Sequence, residues 1–260
     1  MFKKLTNHIY VRAYEHHTDR PNIGLICGTN RALLYDAGNS AAHVALMKQE
    51  LADRGLPFPD YVALSHWHWD HTFGAHAWDA NIVAGRNTDR HLRHMQTWKW
   101  DDTSMQDRLD RGIDIPFCSE MIKREYPDRS AIRVASADIV FDERMTLDLG
   151  GEVICELIHA RGPHSEDSII CYIPLDKFVF LGDSNGKDLY GLPWHFDIAH
   201  EEDFSSTVGA LPYDLCRVQA YIRLLDTLDF TYCIGGHSNI MSRVDLYQKL
   251  IISTEKKETS

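Results

Sequence analysis

A strand that runs directly into four metal-ligand side chains constrains this chain more than any other feature. Tyr61-Val62-Ala63-Leu64 is a short apolar run of buried-strand character, and Ser65-His66-Trp67-His68-Trp69-Asp70-His71 follows without a break. With 15 histidines in 260 residues, chance supplies the pattern H-x-H-x-D-H roughly 0.005 times per chain. Imidazole and carboxylate are good ligands for a borderline cation such as zinc. In extended backbone, residues two apart project to the same side, so His66 and His68 are placed to grip one ion. Asp70 and the adjacent His71 must diverge, which suits a loop curling toward a second ion. The competing reading is a solvated polar loop whose histidines are satisfied core groups.

The surroundings read as strands and helices in sequence. Ile9–Val11, Ile23–Cys27 and Ala32–Tyr35 are apolar runs separated by turn residues, as in an antiparallel meander. Ser40 is placed to cap a helix over about 41–54, with Val44, Met47 and Leu51 on one face and Gly55 beyond it. Asn81–Ala84 is a further strand. Beyond residues 86–133 strand patterning returns at 139–141, 145–147, 153–158, 168–173 and 178–181. A helix over about 214–226, a strand at 231–234 and a helix over about 244–252 complete the chain. This alternation predicts two similar halves, packed as face-to-face sheets with helices outside, in a single domain over 1–254. Residues 255–260 read as a polar tail.

Three more ligand-type residues fall just past predicted strands. They are His164 in Arg161-Gly162-Pro163-His164-Ser165, Asp183 in Leu181-Gly182-Asp183, and His237 in Gly235-Gly236-His237-Ser238. Each alone is commonly a turn former; together with the histidine cluster they form a joint signal.

With these residues in place, the sequence resembles the metallo-β-lactamase superfamily over nearly its whole length. Leu34-Tyr35-Asp36-Ala37-Gly38 is similar to the family's early D-x-G turn. The resemblance implies an α+β fold, an αβ/βα sandwich of two mixed sheets with outer helices and a dinuclear metal site on one edge. It implies that His66, His68 and His164 bind the first metal, that Asp70, His71 and His237 bind the second, and that Asp183 bridges them. Asp36 would orient ligands rather than bind. The chain departs from the family pattern in having Gly162-Pro163-His164 where Pro-Gly-His is usual, and in the long separation of His71 from His164.

Ligand identity narrows the branch that the resemblance implies. True β-lactamases of this fold carry Cys or Ser at the bridging position, so Asp183 points away from antibiotic hydrolysis. Flavodiiron proteins have Glu where His68 stands, and glyoxalase II relatives add a helical domain for which little chain remains. What is left resembles lactonase, small-ester and phosphodiester hydrolases that use a metal-bridging hydroxide, with two divalent ions, zinc foremost and iron or manganese as substitutes. Asp70 would orient the water and move its proton, and Tyr190 would donate to a developing oxyanion. Trp69, Trp194 and His195 are the expected substrate contacts, against a reading in which these aromatics only close the sandwich edge. The alternatives are an oxidoreductase of the persulfide dioxygenase type with one iron, a glutathione thioesterase, and a non-catalytic binding protein.

Composition bounds the partners. The formal net charge of −11 opposes a broad phosphate-backbone footprint, and no apolar run approaches the length of a membrane span. The expected partner is a small molecule rather than nucleic acid or membrane. The six cysteines are scattered without a C-x-x-C pair and the N-terminus lacks a signal-like apolar region, which reads as a cytoplasmic protein. Residues 86–133 show no sustained period and read as a partly helical insertion. They carry ten basic and nine acidic residues, so they are less negative than the rest. With Trp98, Trp100 and Phe117 they are expected to form a lid over the metals, or else a homodimer contact.

Overall fold

The computed structural model describes residues 1–190 and 214–255. A seven-stranded sheet takes the first half in chain order: β1 (Phe2–Lys4), β2 (Ile9–Arg12), β3 (Ile23–Cys27), β4 (Ala32–Tyr35), β5 (Tyr61–Ala63), β6 (Asn81–Gly85) and β7 (Ile139–Phe141). It is antiparallel from β1 to β4 and parallel from β4 to β7. The second half forms a six-stranded sheet from β8 (Arg144–Asp148), β9 (Ile154–His159), β10 (Ile169–Ile173), β11 (Phe178–Gly182), β12 (Tyr232–Gly235) and β13 (Met241–Ser242). Its spatial order is β13-β12-β11-β10-β9-β8, with only the β11–β12 pair parallel.

Strand alternation explains why the two sheets stack. Ile9, Val11, Leu33, Tyr35, Ala63 and Val83 of the first sheet face Cys155, Leu157, Ile169, Cys171, Phe178 and Phe180 of the second in one buried cluster. Their strand neighbours Leu34, Val62, Ile82 and Ala84 point outward, beneath α1 (Ala41–Asp53). On the far side, Ile170, Val179, Leu181 and Cys233 are covered by α6 (Leu215–Asp226) and α7 (Arg243–Glu255) through Tyr221, Leu225, Leu246 and Leu250. The αβ/βα sandwich expected from the resemblance is therefore the observed fold. Ser40 caps α1 as the sequence predicts, its Oγ accepting from His43 N at 2.9 Å. The short edge strands β1 and β13 were not visible in the sequence.

The long connection from β6 to β7 joins two parallel neighbours, so it must cross over the sheet. It does so with three helices, α3 (Arg86–Met95), α4 (Asp102–Asp110) and α5 (Pro116–Glu125). Leu92, Met95 and Met105 pack on the outer face of the first sheet. Arg108 is held between Trp98 and Trp100, its Cζ 4.6 and 4.7 Å from the two rings. Among the described residues no helix is long and apolar enough to cross a membrane, and all six cysteines are unpaired.

Candidate metal centre

The strand directions bring the ligand-type residues to one edge. β9, β11 and β12 run the same way in the second sheet, so the loops holding His164, Asp183 and His237 emerge together. The β5 end of the first sheet supplies the rest. After β5 the chain bends over residues 65–67 and, from an extended His68, enters the single-turn helix α2 (Trp69–Thr72), which carries Asp70 and His71. A register shift between Phe180 and Gly182 precedes Asp183, and such a bulge re-aims the next side chain. Gly182 takes φ +53°, a conformation open to glycine at little cost. A Cβ on Gly236 would collide with Asp183 Oδ1, so the His237 turn can lie against the centre only with glycine there.

Three overlapping groups result, each with ligand atoms within 4.8 Å of one another: His66, His68 and His164; His66, His71 and Asp183; Asp70, His71 and His237. His164 Nε2 lies 3.0 Å from His68 Nδ1. Asp70 Oδ2 lies 3.0 Å from Nε2 of both His71 and His237. Asp183 Oδ2 stands between the groups, 3.7 Å from His71 Nε2, 3.7 Å from His164 Nε2 and 3.8 Å from His237 Nε2. All seven residues expected as ligands thus converge.

The donor set fits a cation. His66 Nε2 is buried with no hydrogen-bond partner, a costly arrangement that a metal ion relieves. The rings are aimed from behind. Asp36 Oδ2 accepts from His71 Nδ1 at 2.7 Å while its Oδ1 accepts from Ser65 N at 2.8 Å. Ser65 Oγ lies 2.9 Å from His66 Nδ1, and the Lys187 carbonyl accepts from His164 Nδ1 at 2.6 Å. Electrostatics agree. Burial raises Asp183, but the charges of His237 and His71 outweigh it and hold its carboxyl well below the usual range. Burial also opposes ionisation of Asp70, and His71 and His237 again reverse it. Both carboxylates are therefore anionic. Burial, followed by neighbouring imidazoles, keeps His66 and His68 well below the ordinary value and so neutral.

A cavity of about 450 Å³ opens over this edge. Asp70, Asp183, His68, His164 and His237 form its floor, while Ile115, Phe117, Cys118 and Met121 of the α5 region form an apolar wall. Tyr190 lines it too, its ring 5.1 Å from that of His68, with the hydroxyl 3.4 Å from Asp114 Oδ1 and 3.6 Å from Cys118 Sγ. Burial first, then Cys118 and Asp114, push the Tyr190 phenol well above its ordinary value, so it is a donor.

Two expectations need correction. Trp69 does not face the cavity: it is 3% exposed and packs against Phe73 in the outer cluster of the first sheet. The helical turn that begins at Trp69 rotates it into the core, and it is Trp67 that meets Tyr190, at 5.0 Å between rings. Of residues 86–133, expected as a lid or a homodimer contact, only part reaches the cavity. Only the stretch around α5 lines the cavity, while Trp98 and Trp100 are occupied with Arg108. Trp194 and His195 lie outside the described residues. The cavity also holds His16, His17 and Asp19, which the sequence reading missed because an exposed-looking polar loop gives no local sign of its partners.

Solved structures share the architecture at low identity. A metallo-beta-lactamase from Pontibacter korlensis aligns with a TM-score of 0.62 and 16% identity, covering 97% of this chain and 98% of that one. A metallo-beta-lactamase family protein from Thermus thermophilus gives 0.63 and 17%, covering 98% and 81%. A metallo beta lactamase from Hirschia baltica gives 0.59 and 16%, covering 98% and 97%. No curated protein matches the chain in sequence. The sequence model described as the Metallo-beta-lactamase superfamily matches residues 18–214, most of both sheets and six of the seven converging side chains, and the chain belongs to that superfamily.

Proposed function

We propose that this chain is a metal-dependent hydrolase that cleaves a small ester, lactone or phosphodiester with the help of two divalent cations, zinc foremost. The observation that carries the reading is the shared position of Asp183 Oδ2, within 3.8 Å of Nε2 of His71, His164 and His237. One carboxylate at the seam of two ligand groups offsets the repulsion between two cations. His66, His68 and His164 would hold one ion and Asp70, His71 and His237 the other, with Asp183 common to both. When bound, such ions supply a water acidified toward a pKa of about 7 and an electrophile for a carbonyl or phosphoryl oxygen.

The remaining work falls to the chain's own groups. Asp70 lines the cavity and its Oδ2 is engaged with His71 and His237, leaving Oδ1 to orient the attacking water and take its proton. The Tyr190 phenol stays protonated and donates to the oxygen on which charge develops. Ile115, Phe117 and Met121 exclude bulk water and receive the apolar part of a small substrate. The test is a panel of lactones, aryl esters, thioesters, phosphodiesters and sulfates, run on protein of measured metal content. Two ions per chain, with ester or lactone turnover that chelation abolishes and zinc restores, support the reading. One iron per chain with oxygen uptake would replace it by the oxidative alternative.

A further inference from the structure

We propose that Asp19 and Asn22 are positioning residues for His237, which makes the loop between β2 and β3 a remote part of the second ligand triad. The proposal rests on the metal-binding role of that triad given above. His237 sits in a turn just past β12, and its side chain is 24% exposed, against 0% for His71. A side chain so placed needs its backbone fixed from elsewhere. Besides Gly236 N, which donates to Gly182 O at 2.7 Å, Asn22 supplies most of this: its backbone N donates to Gly236 O at 2.6 Å, and its Nδ2 donates to Gly235 O and Ser238 O, both at 2.7 Å. The carbonyls on both flanks of His237 are thus held by one residue, itself 5% exposed and steadied by Tyr14 N, which donates to its Oδ1 at 2.9 Å.

Asp19 acts on the ring. His237 Nε2 faces Asp70 Oδ2 at 3.0 Å, and on the opposite edge Nδ1 faces Asp19 Oδ1 at 3.7 Å. This repeats, at longer range, the relation of Asp36 to His71. A carboxylate beside Nδ1 favours the proton there and leaves the Nε2 lone pair for a cation. The loop is anchored in turn, since Arg20 Nη2 donates to both oxygens of the buried Glu125 on α5, at 3.1 and 3.2 Å, and Asn39 Nδ2 donates to Thr18 O at 2.7 Å.

The experiment titrates the metal-free full chain with Zn²⁺ against a chromophoric chelator, for wild type, His237→Ala, Asn22→Asp and Asp19→Asn. Asn22→Asp keeps size and the Oδ1 acceptor but sets an anion against the two carbonyls. Asp19→Asn removes charge alone, and Asn tolerates the φ of +54° found there. Both variants should weaken, by about 10- to 100-fold, the same ion that His237→Ala weakens, and shift the other by less than about threefold. Asp19→Asn added to His237→Ala should cost nothing further, which a general loss of fold would not reproduce. Wild-type affinities in both single variants, or an additive loss in the double variant, would overturn the proposal. Fewer than two ions on wild type would overturn the dinuclear reading instead, and the comparison with His237→Ala would still decide this one.

Discussion

The two candidate ligand triads meet at Asp183 but are built differently. His66, His68 and His164 are 0%, 6% and 5% exposed. Their rings are aimed by immediate surroundings, Ser65 for His66 and the Lys187 carbonyl for His164. The second triad has two buried members, Asp70 and His71, while its third, His237, stands on a more exposed turn held from residues 19–22. A buried ligand is fixed largely through packing, whereas a more exposed one needs dedicated hydrogen bonds from elsewhere in the chain. The first triad should therefore hold its ion more tightly, and the second should be the more sensitive to distant substitutions.

The largest effect should come where the triads join. Asp183→Asn keeps the shape and removes the charge shared by both groups, so both ions should weaken and turnover should fall by about a thousandfold or more, the scale of lost electrostatic stabilisation. Metal analysis beside kinetics checks this; loss of one ion alone would place Asp183 in a single group and separate the triads. Next, His68→Ala should release the tighter ion and leave the weaker one, the reverse of His71→Ala, with affinity losses of at least about 100-fold. Equal losses at both positions from either variant would show one cooperative site rather than two.

The same contrast explains what was readable in advance. His66, His68, Asp70 and His71 announce themselves because they are adjacent in sequence, and His164, Asp183 and His237 because each follows a strand too apolar to want them. Trp69 misled because the resemblance placed it at the pocket, whereas in this chain a helical turn begins there and points it at Phe73. Asn22 had no local signature, as its partner Gly235 lies 213 residues away. The stretch over 86–133 lost its periodicity because three short helices bury different faces, α3 and α4 on the sheet and α5 against the cavity.

That division yields a third, smaller effect. Phe117→Ala or Met121→Ala removes apolar wall from the cavity and should lower kcat/KM by about tenfold, mainly through KM, as loss of roughly one or two kcal/mol of contact implies. Trp98→Ala, on the sheet-facing part, should lower Tm and leave KM unchanged. A KM effect from Trp98→Ala would extend the cavity wall beyond α5.

The smallest effect tests the local support of the second triad. His43 on α1 is fully buried, packs against Gly38 of the turn that carries Asp36, and accepts at Nε2 from Arg12 Nη1 at 2.9 Å. Burial, then the charges of Arg12 and Arg20, hold its pKa well below the ordinary 6.5, so it is neutral in the fold. As pH falls through about 6.5 the unfolded chain gains a proton here and the folded chain does not. The stability this group contributes is complete above that pH and declines below it, by at most about 1.4 kcal/mol per pH unit. His43→Gln keeps a polar side chain without that titration, so its unfolding free energy should depend less on pH between about 7 and 5 than that of wild type. Urea unfolding of the two metal-free proteins across that range gives the comparison. Parallel curves would remove His43 from the pH response and leave Asp36 as the local support that matters for His71.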